Sequence, residues 1–106
     1  MNIFSLLKNM EKIKEISDTL SARLSEKKIT AISGGGMVEV VCNGKKDVID
    51  IKIDEEAKED LEMLSVLILS AISSCQKKAE DVLTEEMKEM VRELSLGITE
   101  EDISNK

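Results

Sequence analysis

Four cations near the amino terminus, Lys8, Lys12, Arg23 and Lys27, have a spacing that could do chemistry. Drawn as a helix at about 100° per residue, they fall along one flank, Lys8 one turn from Lys12 and Arg23 one turn from Lys27. The two pairs are separated by 15 residues, about 22 Å along a helix. Such a row is either a solvated face beside a packed seam or a set of contacts for an anionic partner. An acidic row, Glu11, Glu15 and Asp18, runs next to it. Basic doublets occur at Lys27-Lys28, Lys45-Lys46 and Lys77-Lys78, and each taken alone reads as surface charge.

The other reactive residue types form no catalytic constellation. Histidine is absent, which removes the commonest general base and metal ligand. No enzyme activity, cofactor, metal or small-molecule substrate is expected. Gly34-Gly35-Gly36 precedes a strand rather than a helix, and no Gly-Lys-Ser/Thr ending follows, so it reads as a bend and not a phosphate cradle. The Asp and Glu pairs lie on helix surfaces or in the tail. Met10, Met63, Met87 and Met90 read as packing residues. Cys42 and Cys75 lie far apart in the chain, form no C-x-x-C pair, and fall on apolar faces; both read as reduced core thiols. Phe4 is the one aromatic residue, so no platform exists on which bases could stack.

With 106 residues, 42% apolar and 35% charged, the chain suits a single globular domain, residues 1–106. The formal net charge of −7 opposes simple attraction to a polyanion. That charge is unevenly spread. Residues 1–29 carry six basic and four acidic side chains, and residues 81–106 carry three and eight. The amino-terminal segment is the positive pole. Residues 1–10 lack the pattern of a secretion signal, and the apolar run at 66–69 is far too short for a bilayer. A cytoplasmic protein with no membrane partner is expected.

The elements that must position these residues are α+β in class. Residues 1–28 read as a long helix with a seam of Ile3, Leu6, Met10, Ile13, Leu20 and Leu24 at alternating spacings of three and four. Residues 29–54 read as a three-stranded antiparallel meander. Val38, Val40 and Cys42 alternate on one strand and Ile49, Ile51 and Ile53 on the next, and both sets are expected to face the core. Asn43-Gly44 is the expected tight turn between them. A long helical region follows over residues 56–96, with Gly97 as its expected end and residues 97–106 as an acidic tail. Between residues 64 and 72 almost every position is apolar, more than one sheet can cover. A homodimer is therefore expected, with Leu64, Leu67, Ile68, Ala71 and Ile72 at its interface.

The order of these features resembles the YbaB/EbfC-type nucleoid-associated proteins of bacteria. The resemblance covers about residues 3–95 and is carried most specifically by Ser33, Gly34, Gly36, Val38, Val40, Asn43, Gly44, Ile51, Ile53 and Asp54. The Lys77-Lys78 doublet matches one usual in the second helix. This chain departs from the pattern at Glu55, where a proline is common, at Ser73-Ser74, and in its carboxyl terminus. The resemblance implies a homodimer with fused sheets and helical arms that project like tweezers. It also implies binding to double-stranded DNA on the nucleoid and no enzymatic activity. Lys8, Lys12, Arg23 and Lys27 are then the expected phosphate contacts, with Lys77 and Lys78 assisting. An acidic, coiled-coil-like module that docks other proteins is the alternative, and the net charge and acidic tail favour it.

Overall fold

The computed structural model of the chain describes residues 2–104, with side chains as far as Leu94. Helix α1 spans Ile3–Glu26. Asn2 caps its start, its side-chain oxygen accepting from the Phe4 N–H at 3.0 Å. Three strands follow, β1 Ile29–Ser33, β2 Val38–Cys42 and β3 Val48–Ile53, in the spatial order β1-β2-β3. Both pairings are antiparallel. A short 3-10 turn, Glu55–Glu59, buries Ala57 and leads into helix α2, Leu61–Ser104. This is the α+β meander between two long helices that the hydrophobic periodicity predicts.

Helix α2 crosses the sheet on a stripe of small residues. Ala71, Cys75 and Ala79, each four residues from the last, are fully buried. Short side chains let the helix lie close on Ile29, Ala31, Val38, Val40 and Cys42, which form the other side of the core. Complete burial of a valine such as Val38 or Val40 stabilises by about 1.5–3 kcal/mol. Leu64, Leu67, Ile68, Ile72 and Val82 flank the stripe and are partly buried against it.

Gly34 is required by its backbone, and any Cβ there would also displace Leu67. Its φ is +60°, and a Cβ there would stand 2.8 Å from a Leu67 methyl. The preceding Ser33 hydroxyl donates to the Leu67 carbonyl at 2.6 Å, so the bend is fastened to α2 at this point.

Three sequence expectations are corrected. Asn43-Gly44 is not a two-residue turn. The loop runs over residues 43–47, and Lys46 takes the positive φ of 72°. Asn43 organises it from its side chain, accepting from the N–H groups of Lys45 at 2.9 Å and Asp47 at 3.1 Å. Gly44 serves a different purpose: its N–H donates to the Leu24 carbonyl at 2.8 Å, and any Cβ would strike that carbonyl at 2.9 Å. The hairpin loop thus gives a second donor to a carbonyl at the end of α1 that also accepts from the Lys27 N–H at 3.2 Å.

The second correction concerns β3. Its register slips between Val41 and Cys42, so Cys42 pairs with Val48, and Ile49 has no partner of its own. Helix α2 covers β1 and β2 and leaves β3 bare: Ile49 is 54% and Ile51 39% exposed. The third concerns Gly97, where α2 does not end; the helix continues to Ser104. A single helical glycine costs only about 1 kcal/mol, and no proline follows it. Residues 105 and 106, the end of the expected tail, lie outside the described residues.

Candidate nucleic-acid interface

The ends of α1 and α2 meet beyond the sheet as an antiparallel pair. Leu24 and Met90 are buried where they meet, and Ile16 and Leu20 are half-buried. Arg23 and Lys27 hold the pair together. The Arg23 guanidinium donates to both carboxylate oxygens of Glu93, at 2.9 and 3.3 Å, and stands 3.8 Å from Glu86. The Lys27 ammonium pairs with Glu86 at 2.8 Å. The hydrogen bond to Glu93 and the charges of Glu93, Glu86 and Glu89 hold the Arg23 guanidinium above its ordinary pKa. Two of the six expected contacts are therefore engaged inside the protein.

Lys8 and Lys12 are placed differently. Both are exposed on α1, one turn apart, and neither is in an ion pair among the described residues. Lys14 shares this state. The apolar residues beside them, Leu6, Leu7, Met10 and Ile13, are 48–65% exposed, so this part of the seam has no partner among the described residues.

The doublet on α2 lies over the sheet. Lys78 reaches across to β1 and donates to the Thr30 carbonyl at 2.9 Å, which orients its ammonium without neutralising it. Lys77 is exposed and unpaired among the described residues. The fold also gathers what the sequence leaves scattered. Lys46 pairs with Glu80 at 2.8 Å, and Gln76 donates to the Lys46 carbonyl at 3.4 Å, which brings the hairpin loop to the middle of α2. The Lys46 hydrogen bond holds the Glu80 carboxyl below its usual range. Three basic doublets, separated by up to 50 residues in the chain, therefore meet at one end of the sheet. In each, one lysine bonds to the protein (Lys27, Lys46, Lys78) and the other (Lys28, Lys45, Lys77) forms no ion pair among the described residues. The doublets are visible in the sequence; their convergence depends on long-range contacts and is not.

The expected interface residues divide in the same way. Ala71 is fully buried against its own sheet, and Leu64, Leu67, Ile68 and Ile72 give part of their surface to it. The neighbouring apolar side chains that remain open are Leu61, Val66 and Leu69 on α2, at 64–72% exposure, together with Ile49 and Ile51 on β3.

Among the described residues no three His, Cys, Asp or Glu side chains group as a metal site. No buried side-chain nitrogen or oxygen there lacks a hydrogen-bond partner. An open groove on the outer arm of α2 is lined by Thr84, Met87, Lys88 and Val91. No helix of the described residues is long and apolar enough to cross a membrane.

Residues 1–94 match the model of the YbaB/EbfC DNA-binding family. A nucleoid-associated protein of Pelotomaculum thermopropionicum is 33% identical over 97 residues, covering 90% of this chain and 92% of that protein. One from Clostridium botulinum is 36% identical over 97 residues, covering 90% and 86%. The crystal structure of an uncharacterized protein from Helicobacter pylori aligns with a TM-score of 0.75 at 27% identity, covering 86% of this chain and 98% of that one.

Proposed function

The chain belongs to the YbaB/EbfC DNA-binding family, and on that premise we propose that it binds double-stranded DNA as a homodimer, through phosphate contacts with little sequence preference. The names of its relatives support a place among nucleoid-associated proteins, and a cytoplasmic, non-enzymatic role is part of this proposal. Apart from the family, the observation that carries this reading is the pair Lys8 and Lys12, exposed one turn apart on a long arm and in no ion pair among the described residues. Lysines in that setting meet phosphates as point charges, which position a protein on a duplex without reading bases. Lys77 and Lys78 add to the surface from the middle of α2. Arg23 and Lys27 contribute only by giving up their bonds to Glu93 and Glu86.

Dimerisation is supported by the open apolar surface of Leu61, Val66, Leu69, Ile49 and Ile51, which is unfavourable to leave in water. A dimer doubles the number of lysine pairs and sets them on two arms. With about two to four phosphates neutralised, log Kd should change against log salt with a slope of roughly 2 to 4.

Retardation of a mixed-sequence duplex at low and at physiological salt, with sedimentation of the free protein, tests the reading. Binding that weakens steeply with salt, by a protein that sediments as a dimer, is expected. Salt-independent binding, or none at low salt, refutes it in favour of an acidic module that docks proteins.

A further inference from the structure

The geometry points to Cys42 and Cys75 as a reversible dithiol–disulfide pair, whose oxidation by a peroxide fastens helix α2 to the central strand. Thirty-three positions apart in the chain, their sulfurs stand 2.8 Å from each other. Both residues are fully buried. A disulfide bond is about 2.05 Å long, so closure asks for less than about 1 Å of movement. The Cys75 thiol also lies 3.2 Å from the Ile29 carbonyl and 3.6 Å from that of Val40. These contacts hold Cys75 over β1 and β2. Its neighbours on the helix, Ala71 and Ala79, are small enough to let the backbones draw together.

Burial and the hydrogen bond from Cys75 push the Cys42 thiol up to about 12, so in the closed state Cys42 is protonated and inert. Reaction begins when α2 lifts and one thiol ionises. That thiolate attacks a peroxide oxygen, the O–O bond breaks, and the departing oxygen leaves as water; the cysteine becomes a sulfenic acid. The second sulfur then attacks the first, the S–O bond breaks, and a second water leaves as the disulfide forms. Two thiols are oxidised and one hydrogen peroxide is reduced to two waters. When α2 settles back, the partner sulfur returns to contact with the sulfenic acid, and ring closure outruns further oxidation. A thiol reductant reverses the step.

The test exposes the full-length protein to hydrogen peroxide and then alkylates it in denaturant. Intact mass and a peptide map are read with and without reductant. Both thiols should disappear together, with the loss of two hydrogens per chain and the appearance of a linked Cys42–Cys75 peptide. The urea midpoint should rise and then return on reduction. In the C75S variant the remaining thiol should gain oxygen instead. Three results would overturn the proposal: a cross-link between chains, oxygen added to either wild-type thiol without the linked peptide, or both thiols fully alkylated after an exposure that oxidises the unfolded chain. All three are read on wild-type protein, so they hold even where the C75S variant misfolds.

Discussion

Reversing two pairs of cations along α1 and its carboxyl-terminal cap should have different consequences, although the charge change is the same. Lys8→Glu with Lys12→Glu removes from the exposed arm two charges that form no ion pair among the described residues, and substitution there shifts stability by no more than about 0.5 kcal/mol. The thermal midpoint should stay within a few degrees. Retardation of DNA at low salt should be lost, because two contacts vanish from each arm and two repulsive charges replace them. Arg23→Glu with Lys27→Glu strikes the joint between the arms. Lys27 faces a Glu86 that is only 14% exposed, so that bond belongs near the upper end of surface ion pairs, about 1 kcal/mol. Its replacement also sets three carboxylates, Glu86, Glu89 and Glu93, beside two new ones. At about 4–8 °C per kcal/mol for a domain near this size, the midpoint should fall by at least several degrees. DNA binding should weaken without disappearing.

Differential scanning calorimetry and gel retardation on both variants, at one salt concentration, separate the two roles. A Lys8/Lys12 variant that retains wild-type affinity would show that the free lysines are a solvated face. An Arg23/Lys27 variant that keeps its midpoint and loses all binding would show that the ion pairs open to DNA, and would refute their assignment to the joint.

Other outcomes follow from single contacts. Leu69→Asp, at a site 68% exposed in one chain, should leave helicity intact by circular dichroism but shift sedimentation from dimer to monomer; a retained dimer would clear this face of the interface. Leu67→Asp should instead unfold the chain, since that side chain sits on Gly34 in the bend. Gly44→Ala should cost about 1–3 kcal/mol in urea unfolding, because the new methyl meets the Leu24 carbonyl. Stability should fall as pH rises from about 9 to about 12, because the unfolded chain releases the Cys42 proton while the folded chain retains it. Part of that slope should vanish in Cys42→Ala, compared with wild type by urea unfolding across the range.

The elements were legible because each is written in local periodicity. Alternation at Val38, Val40 and Cys42 and the four-residue stripe at Ala71, Cys75 and Ala79 are decided by which side chains share a face. The corrected features depend instead on what stands opposite. Asn43-Gly44 has the composition of a two-residue turn, yet here the glycine is needed to let Leu24 approach, a contact 20 residues away. Ile49, Ile51 and Ile53 alternate as faithfully as β2 does. Their exposure follows from the position of α2 over β1 and β2, which no pattern within β3 encodes. In the same way Arg23 and Lys27 look no different from Lys8 and Lys12 until the antiparallel partner is in place. The thiols of Cys42 and Cys75 were correctly read as buried, and their mutual contact was not readable at all.

The arrangement of the arms also explains how an acidic chain can hold a basic surface. The acids of residues 81–106 sit on α2, which returns alongside α1, so Glu86 and Glu93 meet the cations nearest the sheet. For the cations of the amino-terminal segment, neutralisation is therefore local to the joint, where it fixes the two helices against each other. Farther out on α1, Lys8, Lys12 and Lys14 form no ion pair among the described residues. Within a Debye length of about 8 Å at physiological salt, a phosphate near those lysines feels them and the neighbouring Glu11 and Glu15 rather than the acids of α2. At lower ionic strength the screening length grows to about 30 Å, and the net charge of −7 then bears on the same phosphate. Two opposed salt effects follow: fewer ions favour each lysine–phosphate contact but let the whole acidic chain repel the duplex. The affinity of this protein should accordingly rise less steeply below about 0.05 M salt than counterion release alone requires.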